Sequence, residues 1–111
     1  MKKITPKELY NKINQTNPQL YILDVRSEEK YQNEHIEHKN VESINIPKTE
    51  IFEMEHNKLK ELPALPKNIE VVVVCTTGNS ATKCTKILAE KGYDVTLLEG
   101  GITSWKENIN S

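Results

Sequence analysis

The sequence predicts an α/β domain with a mainly parallel central sheet flanked by helices on both faces. Three observations carry that prediction. Strand-like and helix-like segments alternate along the chain. The run Val71-Val72-Val73-Val74 shows no polar alternation, which suits a parallel strand covered on both sides. The segment after it places Ala81, Cys84, Ile87 and Leu88 at helical spacing, one apolar stripe to set against a sheet.

Each element has a local reason. Thr5-Pro6-Lys7-Glu8 starts a helix, with Thr5 as N-cap, Pro6 in the first turn and Glu8 completing a capping box. Leu20 to Leu23 is a short apolar run that reads as a strand ending at Asp24. Ser27 caps a short charged helix, SEEKYQNE, whose Glu28, Glu29 and Lys30 form a solvated face. Ile44-Asn45-Ile46 is a brief strand that stops at Pro47, and a helical stretch is expected around Ile51 to Leu62. The polar segment from Glu37 to Glu42 and the prolines Pro63 and Pro66 read as loops. Ile69 to Val74 is the strongest strand, and the helix after it closes at Gly92, where a C-cap belongs. Val95 to Leu98 is a further strand, Gly100-Gly101 a tight turn, and Ile102 to Asn108 a closing helix with Ile102 and Trp105 on its apolar face.

Composition narrows the function classes. The chain has 111 residues, read as one domain over 1–111, with 15 basic and 16 acidic side chains and a net charge of -1. That balance argues against a dedicated nucleic-acid or membrane-surface binder. The opening MKKITPKELY turns polar before any apolar run develops, so neither a signal peptide nor a membrane span is expected. Two cysteines are too few for a disulfide-stapled module, and a cytoplasmic setting is the expectation. His35, His38 and His56 make a poor metal site without suitable cysteines, so neither metal nor cofactor is expected.

The chemistry concentrates at Cys75, which follows the valine run and precedes a helix. Carboxyl ends of parallel strands are where ligands bind in open α/β sheets. Thr76-Thr77-Gly78-Asn79-Ser80 is a small polar loop whose amides can turn inward around an anion, helped by the dipole end of the next helix. Such donors favour thiolate over thiol. The plain alternative is a buried structural cysteine. Cys84 lies on the apolar stripe and reads as a small core residue, with a redox partnership to Cys75 as its alternative. Asp24 and Arg26 read as an internal polar network at a strand end.

Several segments then fit one family. They are Leu23-Asp24-Val25-Arg26, Tyr31 with His35-Ile36, Asn45-Ile46-Pro47, and Val74 through Cys75 to Ser80. Gly92-Tyr93, Val95, Leu98 and Gly100-Gly101-Ile102 with Trp105 complete the series. In order and spacing, from about Tyr21 to Trp105, they resemble the rhodanese-like sulfurtransferase domain in its small single-domain form. The resemblance implies that Cys75 carries a sulfane sulfur as a persulfide, taken from thiosulfate or another persulfide and passed to a thiol or cyanide-like acceptor. It implies that Thr76, Thr77, Gly78, Asn79 and Ser80 hold that sulfur, with Asp24 and Arg26 in support.

The chain also departs from the family. Ser80 stands where many active members carry an arginine, which weakens the pull on an anionic donor; Lys83 is the nearby cation considered as a substitute. Glu34 replaces the glycine before the histidine, and the stretch from Ile36 to Asn45 is longer than usual. A phosphatase relative would need arginine at position 81 to clamp phosphate bidentately, and Ala81 is there instead. The remaining alternatives are a non-catalytic interaction module that keeps the fold, and a relay fed with sulfur by a partner protein.

Overall fold

A computed structural model describes residues 1–109 of the chain. Five strands and five helices alternate: β1 (Lys3–Ile4), α1 (Pro6–Ile13), β2 (Leu20–Asp24), α2 (Glu28–Asn33), β3 (Glu42–Asn45), α3 (Lys48–Glu53), β4 (Glu70–Val74), α4 (Asn79–Glu90), β5 (Val95–Leu98) and α5 (Gly101–Ile109). All the strand pairs are parallel, in the order β1-β5-β4-β2-β3. β4 therefore sits in the middle. Val71, Val72, Val73 and Val74 are each 0% exposed.

The pleat explains the unbroken valine run. Val71 and Val73 face one core with Ile51, Ala81, Cys84, Ile87 and Leu88, contributed by α3 and α4. Val72 and Val74 face the other with Leu9, Ile13, Ile102 and Trp105, contributed by α1 and α5. With no wet face, no position in the run can be polar. Each valine so buried contributes roughly 1.5–3 kcal/mol relative to exposure.

Local signals set the helix ends. The Thr5 hydroxyl accepts from the Glu8 amide at 3.1 Å, and the Glu8 carboxylate accepts from the Thr5 amide at 3.0 Å. Ser27 Oγ likewise accepts from the Lys30 amide at 3.3 Å. Gly92, at φ +93°, follows the C-cap Lys91 and lets the Tyr93 amide reach back to the Leu88 carbonyl at 3.1 Å.

Two expectations need correction. The helix expected around Ile51 to Leu62 runs instead from Lys48 to Glu53. It starts early because Pro47 sits at the N-cap. Past Glu53 the chain tightens into three-residue turns, Met54 to Ile51 and Glu55 to Phe52, before Asn57 turns it again, its side chain accepting from the Leu59 amide at 3.1 Å. Leu59 continues the apolar spacing but is 90% exposed, so the periodicity there is accidental. β1 was not expected at all. Two residues carry no strand signal of their own, and Lys3–Ile4 is a strand only because β5 lies alongside it.

Glu70, the first residue of β4, ties α1 to the sheet. Its carboxylate pairs with Lys12 and accepts from Thr96 Oγ1 at 2.7 Å. Burial pushes the Glu70 carboxyl up, but the hydrogen bonds from Lys12 and Thr96 and the charges of Lys12 and Lys2 outweigh it, leaving a net lowering from 4.5. A lowered folded-state value means stability that is present above the unfolded value and lost as pH falls through the folded one. Glu70→Gln should therefore cost about 1 kcal/mol at neutral pH. Urea unfolding between about pH 5 and pH 3 should show a flatter loss of stability in the variant than in the parent chain.

Candidate active site

Cys75 follows β4 directly and is 5% exposed. Its Sγ accepts from the Gly78 amide at 2.9 Å and from the Ala81 amide at 3.4 Å. Gly78 is the N-cap of α4 at φ +107°, a conformation that side chains resist, and it turns the loop so that its amide points back at the sulfur. The Gly78 carbonyl is held by the Thr82 amide at 3.0 Å and by Thr82 Oγ1 at 2.7 Å. Two donors thus converge on the sulfur, one from the middle of the loop and one from the first turn of α4.

The carbonyl side of the loop is held by α5. Ile102 donates its amide to the Cys75 oxygen at 2.8 Å, and Thr103 donates to the Thr76 oxygen at 3.1 Å. This close docking needs Gly101. A Cβ there would lie 2.6 Å from the Thr76 oxygen and nearer still to that of Cys75. The Gly100-Gly101 pair, expected as a tight turn, is a seat for the cysteine loop.

Asp24 and Arg26 form the expected polar network. Arg26 Nε and Nη2 reach both Asp24 oxygens at 2.8–3.0 Å, and Nη2 also donates to the Glu34 carbonyl at 2.7 Å. Asn45 Nδ2 donates to the backbone carbonyls of Asp24 and Arg26, each at 3.0 Å, which joins the ends of β2 and β3. Tyr31 stacks on His35 at a centroid distance of 3.9 Å, and its hydroxyl donates to Ser43. His35 is thereby part of the packing beneath the rim.

A cavity of about 570 Å³ opens over the cysteine. Cys75, Thr76, Thr77, Asn79 and Ser80 line it together with Arg26, Lys30 and Lys48. Lys48 Nζ donates to Ser80 Oγ at 3.3 Å. Lys83, by contrast, turns away to Glu55 at 3.6 Å and lies over the Phe52 ring at 4.5 Å. Cys84 is wholly buried, and that burial, reinforced by the nearby Cys75, pushes its thiol up to about 12.

Comparison with known proteins bears on this arrangement. The rhodanese-like domain family model matches residues 5–108. The chain belongs to the rhodanese-like domain family. A structure of a rhodanese-like domain protein from Staphylococcus aureus superposes with a TM-score of 0.73 at 30% identity, covering 95% of this chain and 91% of that one. The thiosulfate sulfurtransferase PspE of Escherichia coli is 36% identical over 81 residues, 72% of this chain and 68% of that protein. The adenylyltransferase and sulfurtransferase uba4 of Ogataea parapolymorpha is 33% identical over 93 residues, 81% of this chain. This chain spans only 21% of that protein's length.

Within the rhodanese-like fold, the predicted loop residues Thr76, Thr77, Asn79 and Ser80 all line the cavity with Cys75, while Gly78 donates to the sulfur from behind. The Ala81 amide is one of the donors expected from the first turn of the next helix. Two other contributors were missed. Gly101 reveals its role only through the approach of Cys75 and Thr76. Lys48 is 32 residues from Ser80 and meets it only through the fold.

The steric role of Gly101 can be separated from its backbone angle. Gly92 has a similar positive φ but open space around its Cα. Gly92→Ala should cost about 1 kcal/mol. Gly101→Ala should cost at least ~2 kcal/mol more, because the cysteine loop must move. Equal costs in urea unfolding would mean that the docking of α5 carries no energy.

Proposed function

We propose that this rhodanese-like domain is a sulfurtransferase that carries a sulfane sulfur on Cys75. The observation behind the reading is the pair of amides, Gly78 and Ala81, aimed at a cysteine sulfur at the base of an open cavity. Amide donors stabilise negative charge on sulfur without needing a neighbouring acid or base. The reading treats residues 1–111 as one domain, and two unpaired thiols suit a reducing, cytoplasmic setting.

The transfer takes two displacement steps. The Cys75 thiolate attacks the outer sulfur of thiosulfate. An Sγ–S bond forms, the donor's S–S bond breaks, and its electron pair leaves with sulfite. The persulfide anion extends into the cavity, where the amides and hydroxyls of Thr76, Thr77, Asn79 and Ser80 receive it. A thiolate acceptor then attacks the outer sulfur, leaves as a persulfide and returns the Cys75 thiolate. One difficult step becomes two easier ones, and neither needs a metal or a cofactor. Asp24 and Arg26 support the site by bracing the end of β2 beside the cavity, not by touching the sulfur.

A relay is the second reading. The similarity to a segment of uba4, a longer protein named as both adenylyltransferase and sulfurtransferase, favours a sulfur-carrying protein as donor or acceptor. The open cavity mouth would admit a partner's thiol.

Intact-mass measurement tests both readings. The protein should gain the mass of one sulfur on incubation with thiosulfate. Cys75→Ser should abolish the gain, and Cys84→Ala should retain it. Loading from a low-molecular-weight persulfide but not from thiosulfate would select the relay. Loading from neither donor would overturn sulfur transfer and leave a non-catalytic module.

A further inference from the structure

The cavity over Cys75 has cations on its wall and no carboxylate among its lining residues. Of the three cations, Arg26 is already committed to both oxygens of Asp24 and to the Glu34 carbonyl. Lys30 lines the cavity but makes no side-chain hydrogen bond to the cysteine loop. Lys48 is different. Its backbone amide is anchored to the Val25 carbonyl at 2.9 Å, fixing the root of the side chain on the β3–α3 side. From there its ammonium reaches Ser80 Oγ at 3.3 Å, at the far end of the cysteine loop. It pairs with no carboxylate among the described residues.

Lys83, the other cation near the loop, does not line the cavity. Lys83 is held by Glu55 and Phe52. The Ser80 hydroxyl accepts from Lys48, so its own proton remains available to a ligand in the cavity.

We propose that Lys48 is the specificity-determining cation of this site: it receives the anionic end of the sulfur donor and selects dianionic donors over monoanionic ones. The proposal rests on the sulfur-transfer reading of Cys75. An ammonium reaching in from the β3–α3 turn supplies the charge that Ser80 withholds from the loop. In a partly solvated cavity, one such charge is worth roughly threefold in rate for each unit of donor charge.

The test compares donors of different charge. Lys48→Gln should lower kcat/KM for thiosulfate, a dianion, roughly tenfold, and for methanethiosulfonate, a monoanion, roughly threefold. Lys48→Arg should restore both. Independently of sulfur transfer, alkylation of Cys75 by iodoacetate relative to neutral iodoacetamide should fall roughly threefold in Lys48→Gln. The ratio should stay unchanged in Lys83→Gln. An unchanged alkylation ratio in Lys48→Gln, or equal losses for the two donors, would overturn the proposal while leaving sulfur transfer standing. A lowered ratio in a protein that takes sulfur from neither donor would support Lys48 as an anion selector and overturn the transfer reading instead.

Discussion

The docking of α5 against the end of β4 is the constraint on which the rest of the site depends. The Cys75 and Thr76 carbonyls are taken up by the Ile102 and Thr103 amides, so the loop backbone is fixed on one side. Its N–H groups are then free to face the other side, where Gly78 and Ala81 meet the sulfur. Two carbonyls are thus taken up by α5 and two amides by the sulfur, while the Gly78 carbonyl goes to Thr82. That arrangement presents donors to the sulfur from backbone alone. It is possible only because Gly101 has no Cβ to keep the two segments apart.

The surrounding sheet converts this local device into a site with walls. β4 is central, so its carboxyl end is flanked by the ends of β2 and β5. The β2 end carries Asp24 and Arg26, and the register Asp24↔Asn45 brings β3 and its following turn alongside. Asn45 bridges the two chain reversals, and Lys48 follows three residues later, facing the cysteine loop. Positive charge reaches the cavity from several elements instead of one arginine in the loop. Cys84, within α4, stays in the core as a neutral thiol, so of the two cysteines Cys75 alone lines the cavity.

Legibility in the sequence followed the range of the interactions. The valine run, the loop glycine and the stripe from Ala81 to Leu88 are local signals, and they located β4, α4 and the candidate nucleophile closely. The Thr5 capping box was equally readable. β1 was not, because its pairing with β5 spans most of the chain. The overlong α3 came from an apolar spacing that Leu59 breaks by facing solvent. In the site, Asp24 and Arg26 were readable as neighbours. The Ala81 amide followed from placing a helix start after the loop, but Gly101 and Lys48 were not readable, since a missing side chain and a lysine brought in by the fold leave no local trace.

Sulfur transfer requires that the Cys75 sulfur accept a second sulfur under the loop amides. Anomalous diffraction from crystals soaked in thiosulfate tests this most directly. A second sulfur is expected about 2.05 Å from Cys75 Sγ, inside the cavity and within hydrogen-bond reach of the loop amides, with Cys84 unmodified. An unmodified Cys75, or a second sulfur bound instead at Cys84, would contradict it.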